Sequence, residues 1–232
     1  MGKKTGIPSL EAVDLHCVRG ERKLFGALNF TLRGGELLRI GGANGSGKTS
    51  LLRIACGLLE PTSGEVRWGG ENIRRLQEEF WRRLVYVGHT NAIKDDLTAA
   101  ENLNVACSLT GIGAQPARVG EALRRLGLAG CENLPARVLS QGQRRRTALA
   151  RLPLSDATPL WILDEPFAAL DPVAIDCVQR LITEHVSRGA AVILTTHLEA
   201  QIAAAATLRI DRRAPTEQRA KAARTRGLKT PD

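Results

Sequence analysis

An α/β architecture with a mostly parallel central sheet follows from three features of the 232-residue sequence. Short apolar runs near 36–40, 84–87, 159–166 and 190–197 alternate with stretches of helical spacing, the pattern of strands buried on both faces and joined by crossover helices. The first run leads into Gly42-Ala43-Asn44-Gly45-Ser46-Gly47-Lys48-Thr49, with Ser50 opening a helical pattern. A later run, Leu160-Trp161-Ile162-Leu163, ends in Asp164-Glu165. Parallel sheets bind ligands at the carboxyl ends of their strands, and both polar clusters fall there.

The remaining elements follow in chain order. Residues 8–18 and 24–32 read as two strands about the polar turn Arg19-Gly20-Glu21-Arg22. Gly34-Gly35 is a turn. A helix running to about Leu59 is broken by Pro61-Thr62-Ser63-Gly64. Glu65–Trp68 and the Gly69-Gly70 turn suggest a hairpin, which adds to an antiparallel β subdomain. A charged helical stretch covers Ile73 to Arg83. From about 97 to 151 the apolar residues take helical spacing with glycines at segment ends, so a helical subdomain is expected between strands. Asp171 to Arg188 reads as a helix with Pro172 near its start, and an Ala-rich helix is expected after His197. The expected unit is thus one domain over 8–211, followed by a basic, disordered tail over 212–232.

Composition limits the possible functions. Hydrophobic residues make up 43% of the chain, enough for a buried core, and no apolar stretch approaches the ~18–20 residues that span a bilayer. The first residues carry charge without an apolar segment, so no secretory signal is read there. Aromatics are only 3%, which argues against a single-strand nucleic-acid binder. The five cysteines, Cys17, Cys56, Cys107, Cys131 and Cys177, are scattered and read as free thiols of a reducing compartment, with a metal site as the minor alternative. The net charge is +9, with the excess concentrated after residue 211. That tail reads first as a solvated end, and otherwise as a contact for anionic lipid or nucleic acid.

Gly42 to Thr49 fits G-x-x-x-x-G-K-[ST] between a strand and a helix, the context of a phosphate-binding loop. Its glycines let backbone N–H groups point at phosphate oxygens, and the following helix adds its positive end. Lys48 is placed to reach the β- and γ-phosphates of a bound nucleotide, and the Thr49 hydroxyl to hold Mg²⁺. Asp164, delivered by a buried strand, is the second Mg²⁺ residue. Glu165 is the candidate base for the attacking water.

With these two halves in place, the chain resembles the ATP-binding cassette (ABC) ATPases. Leu139-Ser140-Gln141-Gly142-Gln143 is similar to the family signature LSGGQ, with Gln141 replacing a glycine, and is followed by the basic helix RRRTALAR. Phe167-Ala168-Ala169-Leu170-Asp171 resembles the loop joining the two sites of a dimer, and Thr195-Thr196-His197 the segment ending in the switch histidine. The resemblance implies a P-loop nucleoside triphosphatase fold of ABC type. It implies that Ser140, Gln141, Gly142 and Gln143 close on the ATP of a second copy, and that His197 contacts its γ-phosphate. A glutamine common in the family after the strand at 84–87 is replaced by His89, which the correspondence places at the Mg²⁺ shell. The adenine-stacking position falls at Arg19, with Phe25 as the fallback.

Within the family, RGERKLF, GEVRWGG, VGH, IKDDLTAAENL and PLWILDEPFAALD resemble the ATPase subunits of the bacterial haem exporter of cytochrome c maturation. That resemblance implies a homodimer hydrolysing Mg·ATP, peripheral on the cytoplasmic side of the inner membrane, with integral subunits of the CcmB and CcmC type. Its implied role is release of a haem-loaded chaperone. The four histidines, His16, His89, His185 and His197, are dispersed, so no direct haem binding is expected; one phosphate loop and no sustained heptads argue against a nucleic-acid partner. The alternatives are an ATPase of a drug or lipid exporter, a soluble ABC ATPase acting on nucleic acid or ribosomes, and a non-hydrolysing nucleotide-binding module.

Overall fold

The computed structural model describes residues 7–113, 115–197 and 206–210. Strands β1 (Leu10–Arg19) and β2 (Arg22–Leu32) form a hairpin, and β3 (Leu37–Gly41) leads into helix α1 (Lys48–Ala55). Then come β4 (Ser63–Trp68), β5 (Glu71–Asn72), α2 (Ile73–Leu76), α3 (Glu78–Trp81) and β6 (Leu84–Val87). Helices α4 (Ala99–Leu109), α5 (Pro116–Arg125) and α6 (Gln141–Leu149) separate β6 from β7 (Leu160–Asp164). Helix α7 (Pro172–Ser187), β8 (Ala191–Thr195) and β9 (Ala206–Arg209) complete the described elements.

Two sheets result. The antiparallel sheet has the order β2-β1-β4-β5, and the parallel sheet the order β6-β7-β8-β3-β9. The parallel strands feed two cores by strict alternation. Trp161, Leu163, Val192 and Leu194 face a core shared with α4, α5 and α7. Leu160, Ile162, Ala191 and Ile193 face the opposite core, shared with β1, β2 and α1. Burial on both sides is why these strands read as unbroken apolar runs. The register then lines up their ends: Ile40 pairs with Thr195, Thr195 with Asp164, and Val87 with Leu163.

Local chemistry explains most element ends and three differences from the sequence reading. Helix α1 stops at Ala55 rather than near Leu59. Gly57 takes φ +74°, its N–H donates to Ile54 O and that of Leu58 to Arg53 O, which closes the helix early. The stretch Ile73–Arg83 is broken at Gln77, with φ +44°, into α2 and α3, and Trp81 Nε1 then donates to Cys56 O at the end of α1. Strand β9 was not anticipated; it pairs with β3 from Leu38↔Ala206 to Gly41↔Arg209. The Ala-rich helix expected after His197 and the basic tail lie outside the described residues. Helix α4 starts on a reciprocal cap, Glu101 N to Thr98 Oγ1 and Thr98 N to Glu101 Oε2. All five cysteines are free thiols. Among the described residues no helix is long and apolar enough to cross a membrane.

His185 of α7 has no exposed surface, and its ring stacks on Trp161 with centroids 3.6 Å apart and planes within 8°. Burial, with the Arg188 charge adding to it, lowers its pKa to about 4. The unfolded chain takes up this proton below about pH 6.5, the folded chain only near pH 4, so folded stability falls as pH drops through that window. The expected loss is about 3 kcal/mol from this group. Thermal unfolding followed from pH 7 to 4.5 should show a steeper fall in Tm for the native chain than for His185→Phe, which cannot take up the proton.

Candidate functional site

From the end of β3 the chain turns through Gly42 to Gly47 into α1. Gly42 has φ +143°, and a Cβ there would lie 2.6 Å from Ile210 O and 2.8 Å from Ser46 Oγ, so the loop and the chain after β9 close only on glycine. Gly47, at φ +106°, caps α1 without a side-chain acceptor, and a Cβ there would lie only 3.0–3.3 Å from Leu24 and Phe25. The first-turn N–H groups of α1 therefore remain for an anion. Lys48 is 9% exposed and folds Nζ to Gly42 O at 2.9 Å and Ala43 O at 3.4 Å, which sets a cation inside the loop.

Two strands away, Asp164 is 1% exposed. Strands lie about 4.8 Å apart, so the register puts its carboxylate on the order of 10 Å from the start of the loop. Thr195 Oγ1 stands between them, donating to Asp164 Oδ1 at 2.7 Å and accepting from Glu165 N at 2.9 Å. Asp164 Oδ2 and Ser46 Oγ are buried without a hydrogen-bond partner. Orphaned oxygens of this kind suit a hard cation and its water shell. Glu165 has φ +49°, rare for a glutamate, and its carboxylate meets His197: Oε1 lies 3.3 Å from Nε2, and Oε2 accepts from the backbone N–H at 3.3 Å.

Ser140 caps α6 through a second reciprocal box, Gln143 N to Ser140 Oγ at 3.2 Å and Ser140 N to Gln143 Oε1 at 2.8 Å. A Cβ on Gly142 would lie 2.9 Å from Ala169 O, so the loop after β7 packs onto the first turn of α6. Ser140 and Gln141 are exposed there. The segment therefore faces outward, away from the interior that Arg145 fills.

The ABC transporter family matches residues 25–168. The chain belongs to that family. The cytochrome c biogenesis ATP-binding export protein CcmA of Nitrosospira multiformis is 51% identical over 204 residues, which is 88% of this chain and 98% of that protein. CcmA of Nitrosomonas europaea is 51% identical over 193 residues, 83% and 90% of the two chains. Among solved structures, an ATP-binding subunit of an ABC transporter superposes with a TM-score of 0.73 at 28% identity, covering 82% of this chain and 79% of that one. A dimeric, post-hydrolysis ATP-binding cassette, MJ0796 with ADP and Pi, gives 0.70 at 26% identity, covering 82% and 88%. The fold is that of an ABC nucleotide-binding domain, and nucleotide binding follows from it.

In this ABC domain the expected site residues fall into three groups. Gly42–Thr49, Asp164, Glu165 and His197 lie along the carboxyl edge of adjacent strands. Ser140–Gln143 start α6, and of these Gln141 borders a cavity of about 400 Å³ together with exposed His89, Arg144 and Ala169. Arg19 lies at the turn of the β1–β2 hairpin, and its guanidinium donates to Glu60 O at 3.1 Å. Phe25 is 6% exposed and packs in the core with its ring against Gly47. Two residues escaped the sequence reading. Thr195 was legible only as the end of an apolar strand and the start of the Thr195-Thr196-His197 segment, and Arg145 as one of three arginines on a basic helix. Arg145 is 3% exposed, and its guanidinium reaches both Asp164 and Glu165 through their carbonyls.

Thr195→Val removes a buried bridge to a carboxylate, worth roughly 2–3 kcal/mol. Urea unfolding should show that loss, and Thr195→Ser, which keeps the hydroxyl, should recover most of it.

Proposed function

We propose that this chain is the ATP-hydrolysing subunit of a haem exporter serving cytochrome c maturation, peripheral on the cytoplasmic face of the inner membrane. One observation carries the system assignment: half-identity with the cytochrome c biogenesis export proteins over nearly their whole length. The chemistry is supported by the site itself. The nucleotide-binding domain spans 8–211 in this reading, with the helical subdomain at about 97–151 and a basic tail over 212–232.

Two copies sandwich two ATP molecules, each between the phosphate loop of one and Ser140–Gln143 of the other. Gly42 to Thr49, with Ser50 and the first turn of α1, cradle the phosphates, and Lys48 neutralises the β- and γ-oxygens. Thr49 and Asp164 would hold Mg²⁺, with residue 89 at its outer shell; the ion would neutralise charge on the phosphate oxygens. Arg19 lies against the base, since a guanidinium stacks on an aromatic face. Glu165 orients a water and takes its proton as the water oxygen bonds to the γ-phosphorus and the bond to the bridging oxygen of ADP breaks. His197, beside Glu165, donates to the γ-phosphate as charge develops on it. Closure and reopening of the dimer move the integral subunits, of the CcmB and CcmC type, and so release the haem-loaded chaperone. The chain itself binds ATP and no haem.

Glu165→Gln should lower ATP turnover by about 10²–10⁴-fold and leave a dimer that retains ATP through gel filtration. Wild-type turnover in that variant would remove the assignment of the base. For the system, tagged chain pulled from gently solubilised native membranes should carry integral subunits of cytochrome c maturation, identified by mass spectrometry. Recovery of another permease would discard the haem assignment and keep the ATPase.

A further inference from the structure

Arg145 sits where a charge is least expected. It is 3% exposed, in the second turn of α6, inside the chain rather than on the basic helix face that its neighbours suggest. Its hydrogen-bond acceptors are three backbone carbonyls and one amide oxygen. Nη1 donates to Gly88 O at 2.8 Å and to Asn91 Oδ1 at 3.1 Å. Nη2 donates to Asp164 O at 3.0 Å and to Glu165 O at 2.8 Å. A buried guanidinium needs such partners to offset the loss of water.

The last two contacts have a geometric consequence. Asp164 O and Glu165 O belong to the two peptide planes that flank the Glu165 Cα. One nitrogen holding both planes limits both backbone dihedrals of Glu165. Thr195 Oγ1 holds the N–H of the same residue at 2.9 Å. Glu165 needs this restraint because its φ is +49°, a conformation that glutamate leaves when unconstrained. The direction of its carboxylate toward His197 depends on that backbone. The other half of the guanidinium holds the loop after β6, so a shift of Gly88–Asn91 pulls on the same fork.

We propose that Arg145 is a positioning residue for hydrolysis, holding the Glu165 backbone in the conformation that presents its carboxylate to water and tying that conformation to the Gly88–Asn91 loop. This rests on Glu165 being the base. Arg145 acts through the backbone of Glu165, which it grips by two carbonyls. Its fork cannot be replaced by lysine, whose single ammonium cannot grip both sides in one plane.

The test measures steady-state ATPase of the full chain, MgATP affinity, and single-turnover hydrolysis in the Glu165→Gln background. Arg145→Gln and Arg145→Lys should lower kcat by about 10- to 100-fold, the scale of an ångström-size misplacement, with KM and Kd for ATP within about twofold. In the Glu165→Gln background, Arg145→Gln should change the residual rate by less than about twofold, because the group it positions is gone. Asn91→Ala, which removes one contact and leaves the grip on Glu165, covers the case in which the arginine variants do not fold; a drop in kcat of about threefold at unchanged KM is expected. Native kcat in the arginine variants would overturn the proposal. So would a loss carried by ATP affinity, or a full further loss in the Glu165→Gln background. Native turnover in Glu165→Gln alone would instead remove the base, and the proposal with it.

Discussion

Thr195 ends the central strand with no exposed surface, opposite Ile40 on one side and Asp164 on the other. Its hydroxyl uses both of its roles, giving its proton to the Asp164 carboxylate and accepting the N–H of Glu165. The candidate site residues at the ends of β3, β7 and β8 are placed relative to that bridge. The parallel register sets the phosphate loop beside it, because β8 lies between the strand that carries the loop and the strand that carries the acids. A slip of one residue would turn these side chains to the other face of the sheet and exchange the two cores.

The two cores make such a slip costly. Each central strand sends alternate residues to opposite sides, one toward α4, α5 and α7 and the other toward α1 and the β1–β2 hairpin. The helical insertion shares its buried residues with the sheet, Leu103 and Leu123 with Val85 and Leu163. The segment Ser140–Gln143 is therefore presented from a helix rooted in the same core as Asp164. Each of the three arginines of α6 anchors it to a different piece. Arg144 pairs with Asp95, Arg145 holds the ends of β6 and β7, and Arg146 donates to Gly127 O at 3.1 Å beyond α5.

Backbone strain and buried polar groups meet after β7. Glu165 and Ala169 are left-handed on either side of the turn after β7, at φ +49° and +61°. A non-glycine residue in that region costs about 1 kcal/mol, which persists only where the surroundings over-determine it. Here Thr195, Arg145 and His197 do so for Glu165, while the carbonyl of Ala169 closes on Gly142.

The phosphate loop, the paired acids and the alternation of strands with helices could all be read along the chain, because each depends on neighbours within a few residues. A glycine at a turn, a lysine at a helix start and a four-residue apolar run carry their physics locally. Capping by Ser140 and by Asp171 belongs to the same class. The roles of Arg145 and Thr195 could not be read in this way, because their partners lie between 19 and 57 residues off in sequence. A run of three arginines looks like a solvated face until the fold buries the middle one. Strand β9 escaped for a related reason: Ala206–Arg209 has little intrinsic strand character and is held by pairing with β3. Residue type and short spacing thus pointed to a nucleotide-binding domain, whereas the alignment of strand ends, the conformation of Glu165 and the burial of Arg145 arise from contacts between distant segments that exist only once the sheet has closed.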